Sequence, residues 1–252
     1  MPALSIRSLR KSFLVGPPGS VQRTEALIGV DLDAAEGEIL GIVGNESAGK
    51  TTLLLCAAGL LRREAGSLYW FGRRFNGGGC LPGLAYVPTV PAYYPFLTVR
   101  DVLDYYSGGE DIPARRRPRT IESAAARLCL TDHLATPVSR LGGEVLKRVG
   151  IAQALVEEPR VILLDATLDG LGAGASAAHR ALRHAATHGV TVIATSRNAS
   201  ILAPVATRIL VMDGGRVTAT FSAERYGLQS FGGDSVFADP PFRIRHIAER
   251  VH

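Results

Sequence analysis

Eight consecutive residues, Gly44-Asn45-Glu46-Ser47-Ala48-Gly49-Lys50-Thr51, fit a glycine, four free positions, then Gly-Lys and a hydroxyl residue. That spacing suits a loop whose backbone N–H groups curl around phosphate oxygens. Lys50 is placed to bridge the β and γ phosphates of a nucleotide, and the Thr51 hydroxyl to bind Mg²⁺. Thr52 follows in the first turn of a helix, where free N–H groups and the dipole favour an anion. The pattern requires a strand before it and a helix after it. Glu38 to Val43 is a short apolar run of the buried-strand type, and residues 50–61 are apolar helix formers. Lys is scarce, with three among 28 basic residues, at positions 11, 50 and 147. Such scarcity marks Lys50 as a cation kept for its chemistry.

The elements that must position this loop are also legible. Residues 4–13 alternate as a strand, Gly16-Pro17-Pro18-Gly19 reads as a turn, and 25–34 as a second strand. Further strands are expected at 67–71, 84–87, 160–164 and 190–195, with a hairpin over 208–220 around Gly214-Gly215. Helical periodicity fills 98–107, 119–130 and 142–156, and an Ala-rich helix 175–188. The pattern predicts an α/β fold with a mainly parallel sheet, an N-terminal antiparallel β subdomain and an inserted helical subdomain. The expected organisation is one domain over 1–252. Its core is 1–91 and 157–220, its helical subdomain 92–156, and its C-terminal extension, of weak periodicity, 221–252. Arg115-Arg116-Arg117-Pro118-Arg119 reads as a solvated loop.

The 252 residues are 46% hydrophobic and 20% charged, enough to bury a core and to exclude disordered and fibrous classes. The longest uncharged apolar candidate, 51–61, is about half a membrane span. The opening Met-Pro-Ala-Leu lacks the apolar stretch of a signal peptide, so a cytoplasmic location is expected. The net charge of +5 suits nucleotide, anionic lipid or nucleic acid alike. Cys56, Cys80 and Cys129 show neither paired nor metal-type spacing and are expected as reduced, mostly buried thiols.

Together with Ala26-Leu27-Ile28-Gly29-Val30, Glu36-Gly37-Glu38-Ile39, Ala58-Gly59-Leu60-Leu61, Ile151-Ala152-Gln153-Ala154-Leu155 and Leu163-Leu164-Asp165, the phosphate loop resembles the nucleotide-binding subunit of an ATP-binding-cassette (ABC) transporter. The resemblance runs from about residue 4 to 220. It implies a P-loop ABC ATPase-like core, with ATP and Mg²⁺ as cofactors. Gly44, Asn45, Glu46, Ser47, Ala48, Gly49, Lys50, Thr51 and Thr52 would surround the phosphates. Thr51 and Asp165 would hold the metal, and Phe13 would stack on adenine. It further implies a peripheral position on the cytoplasmic face of the membrane. Partners would be a separate transmembrane permease subunit and a second cassette, in a homo- or heterodimer; nucleic acid is not expected. Residues near Arg100, Asp101 and Thr89 would face the permease. Tyr93-Tyr94-Pro95-Phe96-Leu97-Thr98-Val99 resembles exporter subunits more than importer ones.

The resemblance breaks where the family does its chemistry. Ala166 stands at the position of the Glu that acts as base, and a methyl group accepts no proton. Asp169 lies three residues further on, too far in sequence to replace it simply. Thr89 replaces the Gln that orders Mg²⁺ and water. Ser196 replaces the His that contacts the γ-phosphate, and Gly172 the Asp that communicates across the dimer. At the signature motif, one register puts Gly142 at the Ser position and Glu144 at the second Gly. The other puts Leu141 at the Ser position and needs an extra residue inside a helix. The first register would point a carboxylate at a polyphosphate. In the loop itself Ser47 stands where the family prefers Gly, and Glu46 adds a negative charge. The expectation is a subunit that binds ATP and Mg²⁺ but hydrolyses it slowly or not at all. The alternatives are an active ATPase that recruits another base and a scaffold that binds no nucleotide.

Overall fold

Alternating polar and apolar side chains build the first two strands, β1 (Pro2–Val15) and β2 (Gln22–Ala35), which pair antiparallel. The computed structural model describes residues 1–17, 20–76, 81–108, 113 and 115–223. Next come β3 (Ile39–Val43), α1 (Lys50–Ala57), β4 (Ala65–Trp70), β5 (Arg73–Phe75) and β6 (Leu84–Val87). Three helices follow: α2 (Val99–Ser107), α3 (Arg117–Arg127) and α4 (Gly143–Val156). The chain closes with β7 (Val161–Leu164), α5 (Ala175–Thr187), β8 (Thr191–Ser196), α6 (Ala199–Leu202), β9 (Arg208–Asp213) and β10 (Arg216–Ser222).

The strands form two sheets. One is antiparallel in the order β2-β1-β4-β5; the other runs β10-β9-β3-β8-β7-β6, parallel except for the β9–β10 hairpin. The period-2 alternation of side chains gives the second sheet two buried faces. Leu40, Ile42, Val161, Leu163 and Ile193 pack with α1 and the antiparallel sheet. Ile39, Val43, Ile162, Leu164, Val192 and Ala194 pack with the helices on the opposite face. Burial on both faces explains why these strands read as unbroken apolar runs.

Several boundaries differ from expectation. The helix predicted over 50–61 ends at Ala57: Leu60 N–H donates to Leu55 O at 3.0 Å and Gly59 N–H to Cys56 O at 3.2 Å. That pair of bonds is a Schellman closure, which leaves Leu60 exposed. Strand β5 and helix α6 are not among the elements expected from the hydrophobic pattern. Arg117 to Arg119 open α3, with Pro118 in its first turn, rather than lying in a loop. Cys56 is buried but Cys129 is exposed, held at φ 53° just past the end of α3. Cys80, Pro18-Gly19 of the predicted turn, and residues 224–252 of the C-terminal extension lie outside the described residues. Among the described residues no helix is long and apolar enough to cross a membrane.

Candidate functional site

Strand register decides where the site lies. Val43 of β3 pairs with Ser196 of β8, Leu164 of β7 with Ala194 of β8, and Val87 of β6 with Leu164. The residues that follow these pairs (the phosphate loop, Asp165-Ala166, Arg197 and Thr89) therefore leave the sheet along one edge. The carboxyl ends of strands in an open parallel sheet are where such folds hold ligands.

The loop backbone is held from behind. Gly49 has φ 95°, and a Cβ there would lie 2.3 Å from the carbonyl oxygen of Ala26, so only glycine fits. Gly215 N–H donates to Ala48 O at 3.3 Å, tying the β9–β10 turn to the loop. Ser47 is left-handed at φ 64°, a conformation that glycine adopts without strain. Lys50 Nζ donates to the carbonyls of Gly44 at 2.7 Å and Asn45 at 2.8 Å. No side chain caps α1, so the first-turn N–H groups, those of Thr51 and Thr52 included, are available to an anion. Burial pulls the Lys50 ammonium below its ordinary pKa; Asp165 and Asp169 oppose the shift, Arg197 adds to it, and Glu46 opposes it.

Beside the loop sits a buried carboxylate. Asp165 Oδ1 accepts from Thr51 Oγ1 at 3.1 Å and from Thr195 Oγ1 at 2.9 Å, and Tyr86 OH donates to Oδ2 at 3.4 Å. Burial pushes the Tyr86 phenol well above its usual pKa, with the Asp165 charge adding to it, so Tyr86 remains a donor. Thr51 and Asp165 thus juxtapose a hydroxyl and a carboxylate, hard oxygens of the kind Mg²⁺ takes. Among the described residues no three His, Cys, Asp or Glu side chains converge. An ion here would draw its other ligands from phosphate and water. Phe13 is partly exposed on β1 and pairs with Thr24, two residues before Ala26, whose carbonyl backs the loop. Lys11 Nζ stands 5.2 Å from the Phe13 ring centroid.

The altered positions take on other roles. Ala166 N–H donates to Thr195 Oγ1 at 2.9 Å, in a left-handed conformation at φ 48°. A turn follows in which Asp169 N–H donates to Ala166 O at 3.2 Å. The Asp169 charge favours the Lys50 ammonium. Asp169 Oδ1 is buried with no hydrogen-bond partner among the described residues. Lys147 Nζ donates to Asp169 O at 2.6 Å. Ser196 is fully buried, and its Oγ accepts from Asn198 N–H at 3.0 Å. Thr89 is exposed. Asp101 forms a capping box with Thr98 at the start of α2, a local structural role.

At the signature segment Gly142 is the N-cap of α4, and the helix runs without a bulge to Val156. The register that needs an added residue has no irregularity to hold it. Glu144 does not project outward as expected. Its Oε1 accepts from Gly174 N–H at 3.0 Å, closing the carboxylate over the turn Gly172–Gly174 that leads into α5. A backbone N–H at a helix start supplies a partner for the charge inside the same chain. Tyr86, Lys147, Thr195 and Arg197 were missed in the sequence. Of these only Arg197 had a positional signal, two residues beyond the strand expected over 190–195.

The phosphate loop, the carboxylate that follows β7 two strands away in the same sheet, and the two sheets define a P-loop nucleotide-binding domain. The pattern of the ABC transporter family matches residues 27–168, and the chain belongs to that family. It is 32% identical over 224 residues to the sn-glycerol-3-phosphate import ATP-binding protein UgpC 1 of Rhizobium johnstonii, covering 86% of this chain. The chain spans only 58% of that relative's length. It is 28% identical to the aliphatic sulfonates import ATP-binding protein SsuB of Corynebacterium glutamicum, covering 88% of this chain and 85% of the relative. The fold matches the ATP-binding cassette MJ0796, solved as a dimer bound to ADP and Pi, with a TM-score of 0.76. That match is at 20% identity and covers 87% of this chain and 98% of the other.

Proposed function

We propose that this chain is the nucleotide-binding subunit of an ABC transporter complex, gripping MgATP at its phosphate loop and hydrolysing it slowly or not at all. One observation supports this above the rest. The groups that would hold phosphate and metal, Lys50, Thr51 and Asp165, are assembled, while the base position beside them carries the methyl of Ala166. Thr89, Ser196 and Gly172 weaken water and phosphate contacts further. Adenine would stack on Phe13.

The nucleotide subunit works with a separate transmembrane permease, on the cytoplasmic face of the membrane, and with a second cassette that completes each site. An apolar cleft of about 510 Å³, lined by Tyr93, Tyr94, Pro95, Val102, Tyr105 and Tyr106, lies on the segment following the Thr89 loop and offers the permease a face. The relatives reported above are named as import proteins, which favours import over the export suggested by residues 93–99.

The test is thermal unfolding with and without MgATP, together with phosphate release. At 100 times Kd, binding adds about 2.7 kcal/mol of stability. We expect that shift for the unaltered chain, its loss in Lys50→Ala, and negligible phosphate release by the chain alone. An absent shift favours a scaffold that binds no nucleotide. A second reading, an active ATPase, draws support from Asp169, whose Oδ1 is buried with no hydrogen-bond partner among the described residues and whose charge favours the Lys50 ammonium. Brisk phosphate release that Asp169→Asn abolishes would establish it.

A further inference from the structure

Arg197 follows directly on Ser196, the last residue of β8, which pairs with Val43 at the mouth of the phosphate loop. The bond from Asn198 N–H to Ser196 Oγ closes a tight turn with the exposed Arg197 at its apex. The guanidinium reaches over to the loop and pairs with Glu46 at 2.5 Å. Both side chains are largely exposed, 65% for Arg197 and 79% for Glu46. Exposed pairs of this kind hold weakly and exchange partners readily. A triphosphate bound in the loop would present far more negative charge to the same guanidinium than one carboxylate does, in the forked geometry Arg prefers. Glu46, by contrast, would be repelled.

We infer that Arg197 is a phosphate-binding residue, which exchanges its pairing with Glu46 for the terminal phosphate of a nucleoside triphosphate bound in the loop. This rests on the nucleotide-binding reading above and adds to it. It gives the site a cation one residue beyond Ser196, which can supply none. The loop backbone and Lys50 reach the β phosphate, which a diphosphate also carries, whereas Arg197 would meet the terminal phosphate alone, so its contact separates triphosphate from diphosphate.

The experiment is calorimetric titration of the full chain with Mg²⁺ and either ADP or a non-hydrolysable ATP analogue. Arg197→Ala is expected to weaken the analogue about tenfold and ADP by less than about threefold. Glu46→Gln should tighten the analogue. The decisive comparison is Arg197→Ala in the Glu46→Gln background, where the loss should be at least as large as in the native loop, because no carboxylate competes for the guanidinium. If Arg197 serves only to neutralise Glu46, its removal in that background costs nothing, and the inference fails. Equal losses for ADP and the analogue also overturn it. In both cases binding that Lys50→Ala abolishes leaves the nucleotide-binding reading intact. If the unaltered chain binds neither ligand, both fall together. Arg197→Lys, which keeps the charge without the fork, should retain part of the discrimination, and an unchanged melting temperature in each variant excludes misfolding.

Discussion

Replacing Ser47 by Gly should stabilise the protein, although it removes atoms and adds no contact. Ser47 sits at φ 64° in the phosphate loop, its side chain is exposed, and no hydrogen bond from its hydroxyl is found among the described residues. A non-glycine residue in the left-handed region costs about 1–2 kcal/mol. Glycine removes that cost but adds roughly 0.5–1 kcal/mol of unfolded-state entropy. The net gain is about 0.5–1 kcal/mol, and for a domain of this size 1 kcal/mol raises Tm by about 2–4 °C. Thermal unfolding followed by circular dichroism reads this directly. Ser47→Ala is the control, because alanine keeps the Cβ that creates the strain and should leave Tm unchanged within about 1 °C. If glycine lowers Tm, or if both variants shift equally, then the backbone at 47 is not strained in solution.

Ala166→Glu alone should raise phosphate release by less than about tenfold, although a well-placed base is worth about 10² to 10⁴. Thr89, Ser196 and the signature remain altered, and a gain of 10² or more would show that they matter little. Gly174→Ala should destabilise by about 1–3 kcal/mol in urea unfolding, because the added Cβ would lie 2.7 Å from Arg148 Cδ and 2.9 Å from Glu144 Oε1. Arg148 has no room to yield, being buried with its NH1 bonded to Leu128 O and Cys129 O at 2.9 Å each. A thiol reagent should modify Cys129 in the folded protein and spare Cys56. Burial pushes the Cys56 thiol up from 9.0 to about 11. A raised folded-state pKa gives stability that is complete below pH 9 and lost as pH climbs through 11. Stability across that window should therefore fall more steeply in the native chain than in Cys56→Ala.

The sequence discloses most of the strands because burial on two faces writes itself as runs such as Val161 to Leu164, and burial on one face as the alternation of β1. It disclosed the phosphate loop because that chemistry needs fixed residue types at fixed spacing. What it hid depends on contacts made across long separations. Leu60 and Leu61 extend the apolar run of α1, yet the backbone closes the helix at Ala57. Glu144 looked like a charge facing a partner's phosphate because nothing local reveals that the turn at 172–174 returns beneath it. Arg197 meets Glu46 only because β3 and β8 are neighbours in the sheet.

That adjacency has a consequence for how the molecule is born. β3, which launches the phosphate loop, pairs with β8 on one side and β9 on the other, and both are translated about 150 residues later. At roughly 5–20 residues per second, the ribosome takes on the order of 10 to 30 s to supply them. Throughout that interval the apolar residues Ile39 to Val43 lack both of their pairing strands. An apolar segment without its pairing strands is the kind of stretch that invites pairing with another chain.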